Sequence, residues 1–249
     1  MRRGLAIVAL AVCLWGQAAL AGAEELVVGV ENIPYRPFYT TEYGRYISPA
    51  REILDAFGKT RGVSFVYRPL PVNRLYREFL AGGLDFKFPD NPAWKSQEKQ
   101  GLTIAYSDPV MHFIDGVMVL PQNKGAGLAK LKVLGTVLGF TPWKYLDLID
   151  AGQVKLVENG LLRGLLQQAI LGRIDGAYVN PGVASYQLEH VLKAPGALVF
   201  DPGLPHIEGS YLLSTLKHDK VIQEFNAFLR QEKSMVQEIW QRHHVDLQP

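Results

Sequence analysis

The sequence predicts an α/β fold of two lobes joined by two crossing segments. Three observations carry the prediction: strand-type apolar runs alternate with amphipathic helix-type runs, the alternation occurs twice, and an isolated apolar run follows each series. Such alternation favours parallel strands, because parallel neighbours need a crossover connection that a helix supplies.

The first series opens with the strand "ELVVGV" and a loop, "ENIPYRPFYTTEYGRY", rich in proline and aromatics. A helix is predicted over "SPAREILDAFGKTRG": Ser48 can cap it, Pro49 suits the first helical position, Ile53, Leu54 and Phe57 form an apolar stripe, and Gly58 and Gly62 are stop signals. The strand "VSFVYRPL" follows, then a helix "VNRLYREFLAGG" capped by Asn73, then the strand "LDFKF". The second series runs "KVLGTVLG", "TPWKYLDLIDAG", "VKLVEN", "GLLRGLLQQAILGR", "IDGAYVN" and "PGVASYQLEHVL", again strand before helix each time. Between the series lies "DGVMVLP" and after the second comes "GSYLLST", so the crossings are expected near residues 116–120 and 207–212. One lobe is then 24–117 with 210–249, and the other is 118–209. On this reading each lobe has its own sheet, and one continuous sheet running through both halves would contradict it. The last segment, Asp219 to about His243, has Val221, Ile222, Phe225, Phe228 and Leu229 at helical spacing and is expected to pack back on the first lobe.

Residues 1–23 read as a signal peptide. Arg2 and Arg3 form a basic start, Leu5 to Trp15 an apolar run too short to span a bilayer, and Ala19, Ala21 and Ala23 a small-residue cleavage region, with cleavage after Ala21 or Ala23. The protein is therefore expected outside the cytoplasm. Its single cysteine, Cys13, lies inside that signal, which removes disulfides, thiol nucleophiles and zinc-thiolate sites from the mature chain. Over 249 residues the formal net charge is +2, so no basic face for nucleic acid or anionic lipid is implied. His243 and His244 are adjacent and point in different directions on a helix, and no H-E-x-x-H spacing, Walker loop, G-x-G-x-x-G or G-x-S-x-G motif occurs. No metal and no cofactor are expected.

The opening "VGVENIPYRPF", the helix ending in "LAGGLDF", "AYSDPV" followed by "DGVMVL", and "ILGRIDGAYVNPGVA" together resemble the family 3 extracellular solute-binding proteins. The resemblance implies a periplasmic-binding-protein-like clamshell, a monomer, that captures a small ligand between its lobes for an ABC importer or another periplasmic partner, without catalysis. It also implies alternatives: an enzyme of the cyclohexadienyl-dehydratase type, with Asp90 as an acid, or an accessory or sensor protein without an importer.

Amino-acid-binding members carry a T-x-x-R motif ahead of "SDP", whose arginine grips the ligand carboxylate as a bidentate pair. Here "NPAWK" fills that place, so Trp94 or Lys95 falls nearest the arginine, and a lysine lacks the planar fork. Members that hold an α-ammonium often have an aspartate where this chain has the neutral Asn180. Both departures imply a ligand other than a standard α-amino acid, with an apolar or aromatic body and few charges.

The candidate ligand-binding residues are Tyr35, Phe38, Asp90, Asn91, Trp94, Lys95, Thr141, Trp143 and Asn180. Tyr35, Phe38, Trp94 and Trp143 offer aromatic faces near strand ends, where open α/β sheets bind ligands. Tyr106 and Tyr178 are further aromatics, more readily read as core. Thr141 either caps the helix expected after "GFTPW" or presents backbone N–H groups to an oxygen. Asp90 and Asn91 either face the cleft or form an Asx-turn before Pro92.

Overall fold

A computed structural model describes residues 24–245; the predicted signal peptide, with Cys13, lies outside the described residues. The chain starts with β1 (Glu24–Glu31) and a small hairpin, β2 (Thr40–Glu42) and β3 (Arg45–Ile47), then runs through α1 (Pro49–Arg61), β4 (Val63–Leu70), α2 (Val72–Leu80) and β5 (Phe86–Asp90). After β6 (Ala105–Tyr106) and β7 (Met111–Val119) come β8 (Val133–Val137), α3 (Leu146–Asp150), β9 (Lys155–Asn159), α4 (Leu162–Ile170), β10 (Gly176–Val179) and α5 (Pro181–Tyr186). The chain closes with β11 (Val199–Phe200), β12 (Ile207–Thr215), α6 (Asp219–Gln231) and α7 (Lys233–Arg242).

Local chemistry explains several boundaries. Ser48 accepts from the Ala50 N–H with Pro49 in the first turn, and α1 ends where Gly62 takes the left-handed conformation (φ 66°). Asn180 caps α5, its Oδ1 accepting from the Val183 N–H at 3.1 Å, and the helix continues as a π-helical turn over Gln187–Val191. Asn73 does not cap α2, which begins one residue earlier, behind Pro71, with no side-chain cap. The helix expected over 141–152 is shorter than its sequence suggests. Trp143–Tyr145 is a 3-10 turn and only Leu146–Asp150 is α-helical, with Pro142 rather than Thr141 at the start. The single C-terminal helical pattern resolves into α6 and α7, and α7 packs on α1.

Within each half the strands pair in parallel: β1 with β4 and β5, and β8 with β10 and β9. The halves are joined by an antiparallel ribbon in which Met111–Asp115 of β7 lies opposite Ile207–Tyr211 of β12. Beyond it, Gly116–Met118 of β7 pairs with β10, and Leu212 and Ser214 of β12 pair with β5. The strand order is therefore one curled path, β4-β1-β5-β12-β7-β10-β8-β9, with β6 on β12 and β11 on β7. This corrects the expectation of two unconnected sheets: the crossing segments pair with each other, which satisfies their backbone groups and links the two ladders. It also moves the first crossing from 116–120 to 111–115, because the apolar run "GVMV" is the part of β7 that enters the second half, where it pairs with β10 and β11.

Aromatic packing fixes the first half. Phe57 of α1 meets Phe65 of β4 and Phe225 and Phe228 of α6, with ring centroids 5.2 to 6.2 Å apart. In the second half Leu165, Leu166 and Ala169 of α4 are buried with Ile174 and Ala177. Among the described residues no helix is long and apolar enough to cross a membrane.

Because Phe57 joins three elements and is 1% exposed, Phe57→Ala should destabilise the protein by about 3–5 kcal/mol. Urea denaturation checks this; a loss below about 1 kcal/mol would show that α6 is not anchored through this ring.

Candidate functional site

The two halves face each other across a seam closed by direct contacts. The Tyr35 hydroxyl accepts from the Asn180 N–H at 3.2 Å, Gln187 Nε2 donates to the Pro34 carbonyl at 3.0 Å, and Phe140 sets its edge against Tyr35 at 5.6 Å. Gly139, at φ 92°, permits the close approach: a Cβ there would sit 2.7 Å from Asn73 Oδ1 and 3.0 Å from Val72 Cγ1 across the seam.

Under these contacts lies a cavity of about 20 Å³, lined by Glu31, Tyr35, Tyr39, Trp94, Asp115, Tyr178 and Tyr211 and bordered by Val72, Tyr76 and Gly139 to Thr141. That is room for about one water molecule. A solute can therefore enter only if the halves separate.

Beside the cavity is a buried charged cluster. Asp90, at the end of β5, accepts from Lys99 Nζ at 2.8 Å, from Ser214 Oγ at 2.7 Å, from the Asn91 N–H at 2.8 Å and from Tyr76 OH at 3.2 Å. Lys87 Nζ donates to the Pro89 carbonyl at 2.5 Å, lies 3.4 Å from Asp90 and sits over the Tyr76 ring at 4.1 Å. Burial pushes the Asp90 carboxyl up, but Lys87, Lys99 and the hydrogen bonds from Lys99 and Ser214 outweigh it and hold it below the usual carboxylate range. Asp90 is thus an ionised, satisfied structural group.

Two other acids face the cavity itself. Glu31, the last residue of β1, accepts from Tyr39 OH at 2.5 Å; burial raises its carboxyl against the opposing effects of Lys87 and that hydrogen bond. Asp115 stands at the end of the ribbon, opposite Ile207. Burial first, and then the charge of Glu31, pushes it up to about 7. Its Oδ1 and the Tyr178 hydroxyl are buried without a hydrogen-bond partner among the described residues.

Of the nine residues singled out from sequence, Tyr35, Trp94 and Thr141 line the cavity. Asp90 sits behind it. Phe38 and Asn180 border a separate, open groove of about 1090 Å³ whose walls come from both halves and from the ribbon, with Phe38 edge-on to Tyr211 at 5.4 Å. Asn91 makes the Asx-turn: its Oδ1 accepts from the Ala93 N–H at 3.0 Å and its Nδ2 donates to Ser210 O at 3.1 Å. Lys95, in a left-handed conformation (φ 47°), pairs with Glu98 at 2.9 Å. Trp143 packs against the core under Lys144, with its ring N–H unpartnered.

The residues missed are Glu31, Tyr39, Tyr76, Asp115 and Tyr211, with Tyr178 read as core. A signal existed for the two acids: Glu31 ends a parallel strand, and Asp115 interrupts the apolar run "FIDGVMVL". No comparable signal marks the tyrosines.

No protein-family model and no curated protein matches the chain. Among solved structures, an ancestral arginine-binding protein bound to arginine matches with a TM-score of 0.71 at 18% identity, over 89% of this chain and 98% of that one. The fold is that of a periplasmic-binding-protein clamshell. The arginine-, lysine-, histidine-binding protein ArtJ from the thermophilic bacterium Geobacillus stearothermophilus matches with a TM-score of 0.71 at 14% identity, over 90% of this clamshell and 97% of its own chain. An ancestral amino acid-binding protein, AncCDT-1, a precursor of cyclohexadienyl dehydratase, matches with a TM-score of 0.64 at 18% identity, over 88% and 94%.

The raised Asp115 gives a signed expectation. Between the ~4 of an unfolded aspartyl group and about 7, the folded state binds more protons than the unfolded one, so stability falls as pH rises through that window. Asp115→Asn removes the penalty. It should stabilise the protein at pH 8 by a few kcal/mol, at about 1.4 kcal/mol per pH unit, with the gain vanishing near pH 4. Urea titrations at the two pH values check this; a variant no more stable than its parent at pH 8 contradicts it.

Proposed function

We propose that this chain is an exported, non-catalytic solute-binding protein that captures a small ligand between its lobes in the periplasm, as a monomer, and presents it to an ABC importer or another periplasmic partner. The lobes of this reading are 24–117 with 210–249, and 118–209, the division falling beside the ribbon, from which β7 already pairs in the second half at Gly116. The observation that carries it is the cavity at the seam, whose walls come from both halves and whose closure rests on Tyr35, Asn180, Gln187 and Pro34. Solved clamshells described as substrate-binding proteins of amino acid ABC transporters support the class.

The ligand is one other than a standard α-amino acid. No lysine or arginine is among the residues lining the cavity. Lys95, nearest the expected arginine position, is occupied by Glu98, and Lys87 and Lys99 are committed to Asp90. A carboxylate shut into this space would meet two acids and no cation, at a cost of several kcal/mol.

One observation favours a second reading, an enzyme on the same fold. Asp115, rather than Asp90, is a cleft acid that exchanges its proton near neutral pH. Incubating the mature protein with fractionated metabolites separates the two: the binding reading expects a rise in Tm without turnover, and steady conversion of a fraction's component overturns it. A solute at a hundred times its Kd stabilises by about 2.7 kcal/mol, a shift easily read. Tyr35→Phe, which removes one bond across the seam, should weaken a captured solute about 2- to 10-fold as read by calorimetry; unchanged affinity would place binding outside the closed seam.

A further inference from the structure

The buried charges near the cleft do not balance. Glu31, Asp90 and Asp115 are 2%, 0% and 7% exposed, and among the described residues two buried cations, Lys87 and Lys99, stand against them. Lys99 contacts Asp90 directly, and Lys87 lies between the fields of Asp90 and Glu31. Asp115 has no such partner: neither lysine counters its charge, and Glu31 opposes its ionisation. Its unpartnered Oδ1 and the unpartnered Tyr178 hydroxyl belong to residues on the wall of one cavity. Around them stand the rings of Tyr35, Trp94, Phe140 and Tyr211. An isolated buried carboxylate is held only by a proton or by a cation, and aromatic faces around a carboxylate form a recognised cage for ammonium groups.

We propose that the cleft is a site for a monovalent organic cation without a carboxylate, an ammonium group on an apolar body, paired with Asp115 and caged by the surrounding rings. This rests on the solute-binding reading and gives that ligand its chemical class. The cation supplies the one charge the buried set lacks, and the Tyr178 hydroxyl is free to accept from an amine N–H. A zwitterion brings a carboxylate against Glu31, and a neutral body leaves Asp115 holding its proton.

The groups facing Asp115 are Glu31 on β1, Tyr35 on the following loop, Tyr178 on β10 and Tyr211 on β12, all linked to it electrostatically. The tyrosines stay neutral, because burial pushes each hydroxyl upward. The charge that changes near neutral pH is therefore that of Asp115, and cation affinity should rise from pH 5.5 to pH 8 by on the order of ten-fold.

The test is calorimetry on the mature protein with probes that share one body: 2-phenylethylamine, its trimethylammonium form, 2-phenylethanol, phenylalanine and 3-phenylpropanoate. At least one of the two cations should bind ten-fold or more tighter than the alcohol, zwitterion and acid. The trimethylated form separates a quaternary ammonium, needing only the cage, from an amine that also uses Tyr178. In Asp115→Asn the preference and its pH dependence should both disappear, and in Tyr178→Phe only the preference for the primary amine. Preference for any carboxylate-bearing probe overturns the proposal, as does a cation preference that survives in Asp115→Asn. If no probe binds while metabolite fractions still raise the Tm, the cation assignment fails and solute capture stands; if neither shifts the Tm, both fail.

Discussion

Everything in this molecule hangs on the antiparallel pairing of β7 with β12. Five residues of each strand, Met111–Asp115 and Ile207–Tyr211, pair with each other before turning into opposite halves. Directly opposed residues of such a ladder share a face, so Asp115 and Tyr211 come to the same side as Phe113, while His112 meets Ser210 on the other, at 3.0 Å. Phe113 stacks on Tyr211 at 4.6 Å and Trp94 packs on both, which ties the ribbon to the turn after β5. Gly209 leaves the space the Phe113 ring occupies. Among the described residues only these two strands pass between the halves in the sheet, and hinge motion is absorbed by a few residues at element ends.

The second constraint is charge. Five carboxyl and lysine side chains are buried near the end of β5 and the ribbon, and four of them settle into contacts: Lys87 and Lys99 with Asp90, Glu31 with Tyr39. Removing one member of such a set strands its partner at a cost of about 3–5 kcal/mol, so the cluster fixes the turn that carries Trp94. The fifth, Asp115, is left for the cleft. The clamshell geometry thus distinguishes structural carboxylates from a ligand-facing one, a distinction of environment rather than residue type.

Much of the fold was legible because its signals are local. The strand and helix alternation, Ser48 and Gly62 as the ends of α1, and the apolar stripe of α4 all follow from neighbouring residues. The curled single path was not, since the pairing that creates it joins residues about a hundred positions apart. The site was legible in part. Tyr35, Trp94 and Thr141 reach the cavity because strand-end loops point there, whereas Asn91 and Asn180 are spent on a turn and a cap. Trp94 or Lys95 falls nearest the missing arginine by its place in "NPAWK", yet the turn after β5 puts Lys99 beside Asp90 instead. Asp115 shows in the sequence only as a break in an apolar run; that it shares a cavity wall with Glu31, Tyr178 and Tyr211 does not, because those residues come from three other strands.

A solute reaches the cavity of about 20 Å³ only if the halves open about the ribbon. The sequence contains one cysteine, within the predicted signal, so a mature protein can be labelled at introduced sites alone. Spin labels at Lys59→Cys on α1 and Leu171→Cys after α4, both exposed, measure the separation of the halves by pulsed dipolar spectroscopy. Protein unfolded, dialysed free of small molecules and refolded should show a second, longer distance beside that of the structure described here. A single narrow distance equal to the closed one would show that the halves do not open.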